Sequence, residues 1–373
     1  MLFRLKDYSG GFRIASLAKS REVAEDLLNN GLDVIAYSGD KAILLPNNYV
    51  IAEETGCLKH FAASENYDVF ELDRDGTVYR SYSNESSDNV MFITGACNSN
   101  CVMCPSPEAG RRHAGISGLD KLLLTVNHIP EYAEHITITG GEPMLLGRKM
   151  FVLLESMRNK FSGTEFLFLS NGRAFSLPGY ASAFVSSAPR RTIVAVPLHG
   201  YDSVTHDAVT RSSGSFVQTM AGLKELRRYG ANIEIRIVVS KITAPYVDKI
   251  ADLIINELPD ILRVRVIALE MLGNAAINSG DVWLSYPESF SAAKEAILRI
   301  IDAGIEVGLY GFPLCSVDAD CRLLCAQGIT DYKVRFADSC KSCAVHDACG
   351  GIFAGTFRYA AGDVHPIKES IVD

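Results

Sequence analysis

FITGACNSNCVMCPSPE, residues 92–108, places Cys97, Cys101 and Cys104 within eight residues, directly after an apolar, β-branched run that begins at Asn89. Three thiolates at this spacing can wrap one iron-sulfur cubane and ligate three of its irons, leaving the fourth open to a chelating ligand. Soft thiolates also suit zinc or copper(I), but a closed zinc site needs a fourth protein ligand that this loop does not supply. The plain alternative is three buried or zinc-binding cysteines.

Downstream of this loop the chain alternates short β-branched runs with helical patterns. The strand candidates are 89–95, 135–140, 165–170, 192–198, 232–240 and 262–270, each bounded by turn chemistry. Between them, GSFVQTMAGLKELRRYG has helical period, with Ser215 suited to an N-cap and Gly230 to a left-handed stop. Pro245 suits the first turn of PYVDKIADLIINEL. Six strands with right-handed crossovers predict an α/β fold, a parallel sheet curled into a partial (β/α)6 TIM-like barrel. Functional residues then belong at the C-terminal strand ends.

The 373 residues allow a barrel over 89–304 with two additions. Residues 1–88 break the rhythm with strand-like 41–52 and 67–73 and a helix-like 22–31, predicting a small N-terminal α+β domain followed by a polar linker. That domain either docks a peptide or partner or simply covers the barrel. Residues 305–373 are cysteine-rich and poor in long periodic segments, predicting a lobe held by ligation rather than by its own core. A net charge of −8 without a long Lys/Arg stripe argues against nucleic acid as a partner and favours a neutral or basic one. Charges interrupt the apolar residues of Met1–Gly10, and no later run reaches membrane-spanning length, so a cytoplasmic protein with no membrane partner is expected. Ten cysteines in a reducing compartment call for a role other than disulfides, whereas Cys57, standing alone, reads as a small core residue.

The cysteine loop at the first strand end, with ITITGGEPMLL (136–146) at the second, resembles the radical S-adenosylmethionine superfamily over residues 89 to about 275. The resemblance implies that the open iron of a 4Fe-4S cluster chelates the amino and carboxylate groups of S-adenosylmethionine. Reductive cleavage then gives a 5'-deoxyadenosyl radical, which takes a hydrogen atom from a substrate. Gly140 and Gly141 would let the backbone approach the cosubstrate, and Glu142 would accept from its ammonium. Ser170 and Asn171, ending the third strand, are placed to meet the ribose or the carboxylate, although Asn-Gly is also ordinary turn chemistry. Arg236 on the fifth strand is a further cosubstrate contact or an outward-facing residue. His206 and Asp207 either rim the pocket or cap a helix, and His206 or Glu270 is a candidate for moving a proton.

Cys340-x2-Cys343-x5-Cys349 resembles the core of the SPASM or twitch auxiliary-cluster domains. Cys315 would complete four thiolates for a second, closed 4Fe-4S cluster, with Cys321 and Cys325 competing for the fourth place and a structural zinc as the alternative. Phe353 stands where the full SPASM pattern continues with cysteine, so one auxiliary cluster is expected. ITGGEP, SNGRAF, VPLHGYDSVTHD, IEIRIVV, ALEMLGNA, FPLC, ITDYK and CKSCAVHDACGGIF together look like the radical maturase C of the His-Xaa-Ser system. That likeness implies a ribosomally made precursor peptide as substrate, a companion radical maturase, and an electron donor such as flavodoxin or ferredoxin. A radical enzyme acting on a small molecule is the alternative on the same barrel, and a non-catalytic zinc adaptor is a third reading.

Overall fold

The structure, a computed structural model, describes residues 1–5, 8, 10–52, 55–112, 115–327 and 333–368. The stretch 328–332, which holds most of ITDYK, lies outside the described residues. The N-terminal part forms a mixed seven-stranded sheet of β1 (Leu2–Arg4), β2 (Arg13–Ala18), β3 (Val34–Tyr37), β4 (Ala42–Leu45), β5 (Tyr49–Ala52), β6 (Val69–Leu72) and β7 (Thr77–Tyr82), in the order β1-β7-β6-β2-β3-β4-β5. Helices Arg21–Asn29, capped by Ser20, and Thr55–Ala62 accompany it. Alternation divides its residues between two cores. Ala15, Leu17, Phe70, Leu72 and Val78 pack with Leu58 and Phe61. Ile14, Val69 and Tyr82 join the main core, in which Leu122, Val126 and Ile129 also lie. The sheet therefore lies on helix Leu119–His128, and Ser16 Oγ meets His128 Nδ1 at 2.9 Å across that junction. Burial pushes the His128 imidazole down to about 4, so it sits there neutral.

The expected linker is a tight turn in which the Asn89 side chain bonds Ser83 N, Ser83 O and Ser86 O. It leads into the second sheet: β8 (Asn89–Phe92), β9 (His135–Thr139), β10 (Glu165–Leu169), β11 (Thr192–Pro197), β12 (Asn232–Val239), β13 (Arg263–Ala268), β14 (Glu306–Tyr310) and β15 (Cys325–Ala326). The strands lie side by side in chain order, all parallel, with β8 and β15 as free edges, so the curled sheet is a barrel open on one side. Six strands were expected and eight form. β14 and β15 come from the stretch assigned to the cysteine-rich lobe, yet buried Val307 and Leu309 pack with Ile297 and Ile300 of helix Tyr286–Asp302 in the same core.

One face of each strand carries Ile136, Ile138, Phe166, Phe168, Val194, Val196, Ile233, Ile235, Ile237, Val264 and Val266, all buried in that core. The other face is turned to the lumen and is partly polar. Helix Ser215–Arg228 starts from Gly214 in the left-handed region, not from a Ser215 cap; Ser215 is buried in the first turn and bonds Asp207 and Thr210. Gly230, at φ +76°, does end that helix segment. Among the described residues, no helix is long and apolar enough to cross a membrane.

Candidate radical cosubstrate and thiol sites

The turn after β9 is locked onto the turn after β8. Gly141 N donates to Thr94 O at 2.7 Å and Glu142 N to Ala96 O at 2.9 Å. A Cβ on Gly140 would stand 2.3 Å from Thr94 O, and one on Gly141 2.2 Å from Ala96 O, so only glycine allows this approach. The two glycines thus bring the backbone up to the cysteine loop itself, a use beyond the approach to a ligand read from the sequence.

Glu142 is 1 % exposed. Its Oε1 accepts from Met144 N at 3.0 Å and from Ser170 Oγ at 2.9 Å, and its Oε2 accepts from Asn171 N at 2.7 Å. Burial pushes the carboxyl up, and these three bonds oppose the shift. Ser170 spends its proton on Glu142 while its oxygen accepts from Gly172 N, so it braces the carboxylate and is committed within the protein. Asn171 reaches Asn98 Oδ1 with Nδ2 at 2.6 Å, tying the end of β10 to the cysteine loop.

Several residues that hold this loop were not singled out from the sequence. Arg173 Nη1 donates to Asn98 O, Ser99 Oγ and Ser212 Oγ. Arg111, 6 % exposed, donates to Ser106 O and to Asn100 Oδ1. Asn274 grips the loop from helix Gly273–Ile277: its backbone N bonds Cys104 O at 2.8 Å and its Nδ2 bonds Cys101 O at 2.9 Å, while Asn278 Nδ2 bonds Val102 O at 2.8 Å. The paired asparagines four apart in LGNAAIN were the available signal, one helical turn being what aims both at a single loop.

The three thiols are half-buried. Burial, with Cys104 and Cys97 adding, pushes the Cys101 thiol up to about 12, and burial also raises Cys97. Such thiols stay protonated until a cation is present to invert the balance. Among the described residues no three His, Cys, Asp or Glu side chains converge as a single ion requires. A lone zinc needs every sulfur about 2.3 Å from one point, whereas a cubane offers a separate iron to each thiolate. Three thiols on one braced loop suit the second arrangement, each taking its own iron.

Other candidates fall in different places. Arg236 faces the lumen and donates Nε to Glu234 at 2.7 Å; no described bond links it to Glu142, Ser170 or the cysteine loop. Asp207 caps the next helix, accepting from Gly214 N, Phe216 N and Ser215 Oγ. His206 Nδ1 accepts from His199 N at 3.2 Å; burial pushes His206 down to about 4 and His199 to about 3. Glu270 follows β13 and is pushed up by burial against the pull of Lys333. Cys57 packs beside the N-terminal core, its Sγ 3.5 Å from Arg4 O.

In the C-terminal part, Cys315, Cys340, Cys343 and Cys349 line one small apolar cavity with Phe336, Val345 and Ile352. Backbone N–H groups point at the sulfurs: Leu314 and Gly351 at Cys349 (3.5 and 3.4 Å), Ile367 at Cys343 (3.4 Å), and His365 at Cys315. Such donors favour thiolate over thiol. Cys321, 2 % exposed, belongs to the main core and Cys325 opens β15, and neither lines this cavity.

The AdoMet-dependent heme synthase of Nitratidesulfovibrio vulgaris strain Hildenborough is 27 % identical over 150 residues, 40 % of this chain and 39 % of that protein. The chain thus matches about two fifths of that relative's length. Among solved structures, anSMEcpe with bound AdoMet and Cp18Cys peptide is similar at TM-score 0.47 and 18 % identity, over 59 % of this chain and 62 % of that one. Streptococcus suis SuiB bound to precursor peptide SuiA is similar at TM-score 0.46 and 13 % identity, over 62 % and 49 %. The radical SAM superfamily model matches residues 91–254, the stretch that holds the cysteine loop, the Glu142 turn and the end of β10.

Proposed function

We propose that this protein is a maturase that cleaves S-adenosylmethionine reductively and modifies a ribosomally made precursor peptide. The observation that carries the radical chemistry is the lock between the two turns, which holds Glu142 against the loop of Cys97, Cys101 and Cys104. The three thiolates would hold a 4Fe-4S cluster. When bound, that cluster and its cosubstrate supply one-electron cleavage of a sulfonium and a carbon radical able to take a hydrogen atom.

The chain's own residues then have defined tasks. A carboxylate has about four acceptor positions, and Glu142 has three filled by protein donors, leaving one for the cosubstrate ammonium. Ser170 and Asn171 fix that carboxylate. Asn274, Asn278, Arg111 and Arg173 keep the cysteine loop from shifting, and the apolar core behind the strands excludes water from the site's rear.

The peptide reading rests on the four-cysteine C-terminal cavity and on the barrel being left open between β8 and β15. Cys315, Cys340, Cys343 and Cys349 would hold an auxiliary 4Fe-4S cluster with every iron protein-ligated; zinc is the competing occupant. A companion maturase and a flavodoxin or ferredoxin donor belong to the same reading. A small-molecule substrate is the second reading, favoured by the 27 % identity to a heme synthase. Anaerobic incubation of the reconstituted chain with dithionite, S-adenosylmethionine and a His- and Ser-rich peptide decides between them. The peptide reading expects 5'-deoxyadenosine together with a peptide of altered mass. Cleavage that never alters peptide would favour the small molecule.

A further inference from the structure

The barrel lumen holds charges that this reading does not use. Glu234 on β12 is 1 % exposed and accepts Nε–H from both Arg236 and Arg263 at 2.7 Å, with Arg265 Nε 3.9 Å away. Arg265 gives Nη2 to Glu306 at 2.7 Å and lies over the Tyr310 ring at 5.6 Å. Gly308 makes room for it, since a Cβ there would stand 2.7 Å from Arg265 Nη1. Strand register stacks the charges in two layers, Glu234, Arg263 and Glu306 below Arg236, Arg265 and Gly308.

Three guanidinium groups face two carboxylates here, and the Glu306 side chain is 60 % exposed. The Arg236 and Arg263 side chains are 23 % exposed and that of Arg265 9 %. An excess charge removed from water is costly unless a counter-charge joins it. Arg236 and Arg263 each use only Nε toward a described residue, so their four terminal nitrogens have no acceptor among the described residues. Both line a cavity of about 570 Å³ together with His135, whose buried Nδ1 also has no partner among the described residues. Glu85 and Asp88 also line it, but both are exposed, so solvent and salt screen them. Gln327 and Phe353 line the same cavity from the C-terminal part, so it opens through the unclosed side of the barrel.

We propose that Arg236 and Arg263, held apart and aligned by Glu234, form a carboxylate-binding subsite on the lumen floor for the substrate that enters this opening. The proposal deepens the reading of the barrel as the substrate's site and rests on it. Planar guanidinium forks match a carboxylate through paired hydrogen bonds. On a peptide that group is an Asp or Glu side chain or the C-terminal carboxylate. Arg236 stands three residues before the end of β12, which at ~3.3 Å per residue is roughly 10 Å below the strand rim. A carboxylate anchored there leaves the neighbouring part of the substrate toward the C-terminal strand ends, where the Glu142 turn lies.

Calorimetric titration of the reconstituted full chain, saturated with S-adenosylmethionine, tests this with sodium succinate and the uncharged succinamide as probes. Succinate is expected to bind saturably, more weakly as salt rises, and succinamide at least tenfold more weakly. Arg236→Gln and Arg263→Gln are each expected to weaken succinate at least tenfold. Arg263→Lys keeps the charge beside Glu234 while removing the fork, so it guards against misfolding and is also expected to bind less tightly. Blocked glutamate with neutral termini and N-acetylalanine then separate a side-chain carboxylate from a terminal one, and binding of either supports the subsite. Equal affinity for succinate and succinamide, loss of succinate binding on adding S-adenosylmethionine, or wild-type affinity in both glutamine variants would overturn it. None of these readings depends on 5'-deoxyadenosine, so a failure of the radical reading remains distinguishable.

Discussion

With three of its roughly four acceptor positions taken by Met144 N, Ser170 Oγ and Asn171 N, Glu142 braces the strand ends and, in the proposed reading, keeps one position for the cosubstrate. Glu142→Ala is expected to keep the loop iron yet weaken S-adenosylmethionine binding by ~1.5–3 kcal/mol, the usual worth of a charge-assisted bond; unchanged affinity in a titration would remove it from the site. The buried histidines give a second test. His128 and His206 are pushed from 6.5 down to about 4 and His199 to about 3, chiefly by burial. A histidine with a depressed folded pKa stabilises the fold above its unfolded value and loses that contribution as pH falls toward the folded value. Stability is therefore expected to decline from pH 6.5 toward 4, by roughly 1.4 kcal/mol per pH unit for each histidine. Chemical denaturation at a series of pH values measures it, and a flat profile over that window would refute the neutral assignments.

At the scale of elements, the site is a junction between turns rather than a feature of any one of them. Gly141→Ala puts a methyl group 2.2 Å from Ala96 O, so the turn after β9 must move away from the cysteine loop. The expected outcome is a folded barrel whose first site takes up less iron on anaerobic reconstitution, read by iron assay and far-UV circular dichroism. Asn274→Ala removes the side-chain bonds to Cys101 O and Asn100 Oδ1 while leaving every thiol in place. A variant that loads iron like the parent would show that the helix after β13 does not hold the loop.

Across the whole molecule, two groups of thiols and two large sheets share one chain. With Cys97, Cys101 and Cys104 all changed to Ala, about four irons per chain are expected to remain in the C-terminal cavity, by cubane stoichiometry, with a spectrum indifferent to S-adenosylmethionine. Zinc there, or no metal, would sink the auxiliary cluster and leave the first site untouched. The N-terminal sheet lies on the main core through Ile14, Val69 and Tyr82. Removing residues 1–82 bares Leu122, Val126 and Ile129, so that truncation is expected to aggregate. A soluble truncated protein that cleaves S-adenosylmethionine but leaves peptide unmodified would instead mark the sheet as a docking element.

Local sequence determined the first six strands of the parallel sheet, because β-branched runs between turn residues read as buried parallel strands whatever surrounds them. It also marked the three clustered cysteines and the Gly-Gly-Glu turn, whose spacing is itself the chemical signal. The eighth strand, only two residues long, exists because β14 offers it an edge, and no local propensity encodes that. Likewise Arg236 read as a strand residue of undecided facing until sheet curvature set it beside Glu234 and Arg263. Asn274 and Cys104 are 170 positions apart in the chain, and Cys315 comes to line one cavity with Cys340, Cys343 and Cys349 only where the chain folds back on itself. Contacts of that range depend on how crossovers stack and where loops return, and those are decided by the packing of the whole core.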